Sequence, residues 1–219
     1  MAIRREILVT GCPRSGASMI TAALTACGAF GGEMSKRGMY SNDRIREELM
    51  KPYLLQAGYD PDGITKLPVT DDLFIPHNWN RRVYETLEHQ EDTGDTWIYK
   101  DARVALTWPI WEHAFPNAKW VIVRRRTGDI VQSCMKTGYM TGRSTEDEWK
   151  EWVREHNNKF VEMIDHGLNC KVIWPERMVH GDYQQLYELC EWLGLEWNKD
   201  ALNFIEPLLW GHKQKERSI

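Results

Sequence analysis

The chain has 219 residues, 42% of them hydrophobic and 27% charged, with a formal net charge of −4 at pH 7. That length suits one sizeable α/β domain and is short for two, and the composition is that of a soluble globular protein. The acidic balance argues against general affinity for nucleic acid or for an anionic membrane surface.

The cysteines at 12, 27, 134, 170 and 190 form no C-x2-C pair and have no histidine at zinc-ligand spacing. Such a dispersed set suits a reducing cytoplasm. The opening MAIRREILVT enters a strand almost at once, with no signal peptide and no apolar run of about 20 residues. The expectation is a cytoplasmic protein without a membrane anchor.

Glu6 to Thr10 is a short apolar run with β-branched residues, suited to a strand buried on both faces. It breaks at Gly11, passes Pro13 and Gly16, and enters a small-residue helical pattern from Ser18 to Cys27. Strand, glycine loop and helix together point backbone N–H groups and a helix N-terminus at one anion. Gly11-x4-Gly16 followed by Ala17-Ser18 nearly fits the nucleotide pattern G-x4-G-K-[ST]. Ala17 stands in the lysine's place, and Arg14 puts a cation inside the loop instead. Without that lysine the β- and γ-phosphates lose their usual partner, so the loop suits a ligand lacking a triphosphate tail.

Gly28 to Glu33 is a glycine-rich passage ending in a carboxylate. Asn42 to Ala57 and Trp79 to Gln90 have helical spacing, and Gly58 to Asn78 is rich in Pro, Asp and Gly and reads as loop. Residues 34–95 are therefore expected to form a mostly helical insertion that covers the nucleotide site and shapes an acceptor pocket. Trp79 in that cover could stack on an acceptor ring or simply pack.

Trp97 to Lys100 is a second strand, closed by Asp101. Ala102 to Phe115 is helical, with Pro109 kinking or dividing it. Lys119 to Val123 is a third strand ending in Arg124-Arg125-Arg126, and Thr127 or Asp129 is placed to cap the helix that runs on through Met135. Arginine grips a dianionic phosphate with a planar fork, and Ser133, eight residues after Arg125, adds a directional donor. Thr145 to His166 is a long helix with a cap-like opening, and Cys170 to Trp174 is a fourth strand. Asp182 to Leu193 is a helix stopped by Gly194, and a short helix near Lys199 to Glu206 precedes a polar tail. Trp108, Trp111, Trp149, Trp152 and Trp192 fall on helix faces, where core packing is the default. Strands alternating with helices imply a parallel, doubly wound sheet. Ligands bind beyond the carboxyl ends of such strands, where Thr10, Lys100 and Arg124 should converge.

Gly11-Cys12-Pro13-Arg14-Ser15-Gly16-Ala17-Ser18 resembles the 5′-phosphosulfate loop of sulfotransferases that use 3′-phosphoadenosine-5′-phosphosulfate (PAPS), usually P-[KR]-S-G-T-[ST]. Ala17 replaces the usual threonine and removes one hydroxyl contact; Ser18 remains. Val121 to Ser133 resembles the family's 3′-phosphate motif R-x-P-x-D-x-x-x-S: Arg125, Asp129 and Ser133 match, and Thr127 replaces the proline. Tyr99-Lys100-Asp101 is similar to the K-D-P motif of the tyrosylprotein branch, with Ala102 for proline.

The resemblance covers mainly residues 6–33 and 97–135. It implies an α/β fold, a three-layer P-loop-type parallel sheet flanked by helices, with residues 1–219 as a single domain and 34–95 as its acceptor-side cover. It implies transfer of a sulfonate from PAPS to a hydroxyl or amine, leaving PAP, with no metal required. The acceptor would be a small molecule, a glycan or a peptide. Pro13, Arg14, Ser15, Gly16, Ala17, Ser18 and Met19 would surround the 5′ end of the donor, and Arg125 and Ser133 the 3′-phosphate. Glu33 would be the base, with Arg14 and Lys100 stabilising the departing phosphate. His77 and Asp101 are rival bases, and Trp210-Gly211-His212-Lys213 is loosely similar to late basic segments that close over the nucleotide. Two other readings stay open: a small-molecule kinase using ATP and Mg²⁺, and a nucleotide-binding regulator without turnover.

Overall fold

Side chains alternate across a strand, and that alternation lays out the molecule. In β1 (Arg5–Gly11) Leu8 faces one layer while Ile7 and Val9 face the other. In β2 (Thr96–Lys100) Trp97 and Tyr99 go with Leu8, and Ile98 with Ile7. In β3 (Lys119–Val123) Trp120 and Ile122 join the first set, and Val121 and Val123 the second. With β4 (Cys170–Ile173) these strands form an all-parallel sheet in the order β2-β1-β3-β4. Apolar residues on both faces require cover on both, which makes the three layers expected from the sequence. The computed structural model describes residues 5–32, 40–88, 90 and 95–205.

In chain order the helices are α1 (Ala17–Ala26), α2 (Lys51–Gln56, entered through a π-helical turn at Ile45–Met50), α3 (Trp79–Glu88), α4 (Arg103–Leu106), α5 (Trp108–Ala114), α6 (Thr127–Lys136), α7 (Glu146–Asp165), α8 (Pro175–Val179) and α9 (Gln184–Leu193). Short 3₁₀ segments occur at Thr70–Asp72 and Lys199–Phe204. Ile45, Leu54, Trp79, Val83, Trp111 and Phe160 cover the Leu8 face of the sheet. Ile20, Leu24, Leu186, Leu189 and Leu193 of α1 and α9 cover the Ile7 face. Trp79 is 1% exposed and meets Tyr53 and Trp111 edge-on at 5.7 Å each. Trp79 is therefore core, and the ring-stacking role considered for it is excluded by burial.

Local signals explain most boundaries. Thr145 and Glu148 close a reciprocal capping box that opens α7. Gly194 takes a left-handed φ of 73° to end α9. The helix expected over 102–115 divides at Thr107, and Pro109 falls in the first turn of α5, where its missing N–H costs nothing. Neither Thr127 nor Asp129 caps α6: Arg126 holds the cap position and no side chain accepts there. α8, opened by Pro175, was not expected. Among the described residues no helix is long and apolar enough to cross a membrane.

Candidate active site

The loop between β1 and α1 is built by close approach. A Cβ on Gly11 would lie 2.5 Å from both Ser15 Oγ and the Val123 carbonyl oxygen, so glycine lets the loop pass tightly over β3. Gly16, at φ 96°, turns the chain into α1, whose first N–H groups have no side-chain cap. Those groups and the helix dipole face the loop's concavity. Ser15 is 1% exposed, and its Oγ is buried without a hydrogen-bond partner among the described residues. A buried hydroxyl left in that state beside uncapped N–H groups fits a site built to receive an anion.

Arg14 has a φ of 74°, the only left-handed non-glycine residue among those described. Its side chain crosses to the strand–helix segment after β3, where Nε donates to Ser133 Oγ at 2.9 Å and Nη1 to the Tyr139 hydroxyl at 2.8 Å. Arg125 Nη1 donates to the Arg14 carbonyl oxygen at 3.1 Å. Asp129, in the first turn of α6, lies 4.0 Å from Arg125 Nε. Burial lowers the Arg125 pKa, Asp129 opposes that shift, and the neighbouring Arg14 adds to it. The two sequence motifs thus meet in one hydrogen-bonded cluster.

The three arginines after β3 diverge as strand alternation requires. Arg124 lies on the tryptophan-rich side, 5.9 Å from the Phe160 ring centroid and 5.5 Å from that of Trp174. Arg126 is largely exposed and pairs with Glu176 at 3.3 Å. Of the residues expected to converge, Arg124 therefore points away. Thr10 is fully buried and ties β1 to the turn at Asp101 and Ala102. Lys100 does reach the loop: Nζ donates to Ser18 Oγ at 3.2 Å. Burial pulls its pKa down to about 8; Asp101 works against that shift, and Arg46 and Arg103 reinforce it.

These groups share a cleft of about 650 Å³ at the carboxyl ends of the strands. Pro13, Arg14, Ser15, Gly16, Ala17, Ser18, Met19, Lys100 and Arg125 line it, and Ser133 sits behind Arg14, 3% exposed. Arg46, Arg103, Tyr40, Tyr139 and Phe204 also line it and were missed in the sequence. Arg103 stood beside a noted residue, and Tyr139 in a Gly-Tyr turn; Arg46 gave no local signal. Five basic side chains face one carboxylate there, in a protein whose net charge is −4. Asp101, that carboxylate, is 5% exposed and held by Arg103 Nη2 at 3.0 Å and by the Tyr99 hydroxyl at 3.3 Å. Burial alone would raise its pKa, but Arg103, Lys100 and Arg46 hold it below the usual carboxylate range, a poor state for a base. His77 is exposed and outside the cleft lining. Glu33 and Trp210 to Lys213 lie outside the described residues.

The model of the Sulfotransferase family matches residues 6–199. A Caenorhabditis briggsae protein named "Putative protein-tyrosine sulfotransferase" is 21% identical over 211 residues, 91% of this chain and 69% of that protein. Among solved structures, the sulfotransferase domain of the Synechococcus PCC 7002 olefin synthase aligns with a TM-score of 0.58 at 15% identity, over 99% of this chain and 88% of that one. Sulfotransferase STF9 from Mycobacterium avium aligns with a TM-score of 0.53 at 14% identity, over 98% and 70%. At these identities what is shared with the two structures is the fold.

Proposed function

The chain belongs to the sulfotransferase family, and from that membership we propose that it moves a sulfonate from PAPS to a hydroxyl or amine of an acceptor, leaving PAP. The observation that carries the reading is the cluster joining Arg14, Ser133 and Arg125, which brings the two phosphate motifs to one cleft. The uncapped N-terminus of α1 and the orphaned Ser15 hydroxyl suit the 5′ end of the donor. Arg125, with Ser133 behind it, suits the 3′-phosphate, and the Arg14 guanidinium is turned to that same side. Arg14 is thereby assigned to holding the donor, more than to the departing oxygen.

The donor supplies a sulfonate already activated by its phosphate anhydride, so what remains for the protein is positioning and charge. Lys100 sits beside Ser18 and holds positive charge where the 5′-phosphate oxygen leaves. Glu33 is assigned the acceptor's proton. The described chain reaches Gly32 alongside β2, with Phe30 bridged in parallel to Trp97, heading for the end of the sheet where Lys100 lies. It resumes at Tyr40, on the cleft wall. No divalent metal is needed in this scheme, and cytoplasmic residence, suggested by the dispersed cysteines, belongs to the same proposal.

Sulfonate-labelled PAPS offered with phenols, sugars and tyrosine peptides tests the reading. The tyrosine peptide comes first, because the C. briggsae relative is named for that acceptor. Transfer without added metal is expected, with Glu33→Gln lowering turnover on the order of 10²–10⁴-fold. Tight PAP binding with transfer to none of the acceptors would favour a regulator. Phosphoryl transfer from ATP with Mg²⁺ would favour a kinase.

A further inference from the structure

Tyr139 is about half exposed, yet its hydroxyl is fixed. Thr137, just past α6, donates from Oγ1 to the Ser133 carbonyl at 2.6 Å, and Met140 N–H donates to the Thr137 carbonyl at 3.0 Å. These bonds make a tight turn that presents Tyr139 and Ser133 from one rigid piece of chain. The far side of the turn is held as well, by Arg143 Nε donating to the Ile64 carbonyl at 2.9 Å and by Met140 packing against the Trp149 and Trp152 cluster. The two hydroxyls therefore reach Arg14 as a matched pair, one accepting from Nε and the other from Nη1.

Arg14 needs such anchoring. Its left-handed backbone is strained in a non-glycine residue, and its long side chain has many rotamers to lose. We infer that Tyr139 is a positioning residue for Arg14, locking the guanidinium on the Ser133 and Arg125 side of the cleft so that its charge is already in place for the donor. The inference rests on the donor reading above. It assigns the Tyr139 hydroxyl a role exerted through Arg14, with no contact to the donor required.

A double-mutant cycle on PAP affinity, measured by calorimetry, tests this with the wild type, Tyr139→Phe, Arg14→Ala and the double variant. Tyr139→Phe keeps the ring and removes the hydroxyl that Arg14 Nη1 bonds. PAP should bind about tenfold more weakly to Tyr139→Phe than to the wild type, whereas in the Arg14→Ala background the same change should shift affinity less than twofold. In PAPS turnover the loss should appear in KM, with kcat nearly kept. Equal losses in both backgrounds would mean that Tyr139 acts directly or through folding, and would overturn the inference while leaving the donor reading intact. No loss in either background would overturn it too. A wild-type chain that ignores PAP would remove the donor reading and the inference together.

Discussion

Lys100 is the residue whose chemistry the fold alters most usefully. It follows Trp97, Ile98 and Tyr99 in β2, and alternation sends it to the α1 side, where burial lowers its pKa to about 8. If its charge stabilises the leaving oxygen, activity requires the protonated form, which is lost as pH rises through about 8. The profile of kcat/KM, which reports the free enzyme, should fall above pH 8. An anionic donor bound beside Lys100 would raise its pKa, so kcat should fall at higher pH. Lys100→Arg, charged at every accessible pH, should remove the alkaline limb, and Lys100→Met should lower turnover at all pH values. An unchanged alkaline limb in Lys100→Arg would assign that titration elsewhere. At this scale the sequence was readable where a short motif resembles the family's: Arg14, Ser15, Lys100 and Arg125 were named through that resemblance, and all four line the cleft. The opposite directions of Arg124 and Arg125 were also latent there, because period-2 alternation continues past the end of β3. Tyr139 and Arg46 were not readable, because each matters only through what the folded chain places opposite it.

Helix α7 shows the same division among elements. Its start is written in Thr145 and Glu148, and its apolar stripe of Trp149, Trp152, Val153, Phe160 and Met163 faces the core. Within that stripe lies His156, fully buried, with Nδ1 2.9 Å from the Trp152 carbonyl oxygen and the Trp152 ring 4.5 Å away. Burial lowers its pKa from 6.5 to about 4, the bond to Trp152 opposes the shift, and Arg143 adds to it. The folded state holds neutral imidazole, while the unfolded chain takes a proton near pH 6.5. Between those values the unfolded state binds more protons, so stability falls as pH drops from about 6.5 toward 4. The full effect is on the order of 3 kcal/mol. Denaturant midpoints at pH 7 and pH 5 should separate for the wild type and draw together in His156→Leu, even if that variant is less stable throughout. An undiminished difference in the variant would clear His156. Elsewhere, the π-helical turn at Ile45–Met50 had no counterpart in residue periodicity, whereas the break at Thr107 is the division that Pro109 led one to expect.

The whole molecule is organised by strand order. β1 lies between β2 and β3, so its loop has Lys100 on one side and Arg125 on the other. The alternation of strands and helices made the parallel sheet legible, and the motif order made the shared cleft an expectation. The acceptor was not legible, because the wall supplied by Tyr40, Ser41 and Arg46 depends on how residues 40–88 pack, and no motif encodes that. The central claim is that one cleft clasps both phosphate ends of a single adenosine. Calorimetric titration with PAP, AMP and ATP, with and without Mg²⁺, tests it most directly. PAP should bind without metal and at least about tenfold more tightly than AMP, and Arg125→Ala should erase that margin. Equal affinity for PAP and AMP, or a preference for ATP with Mg²⁺, would contradict it.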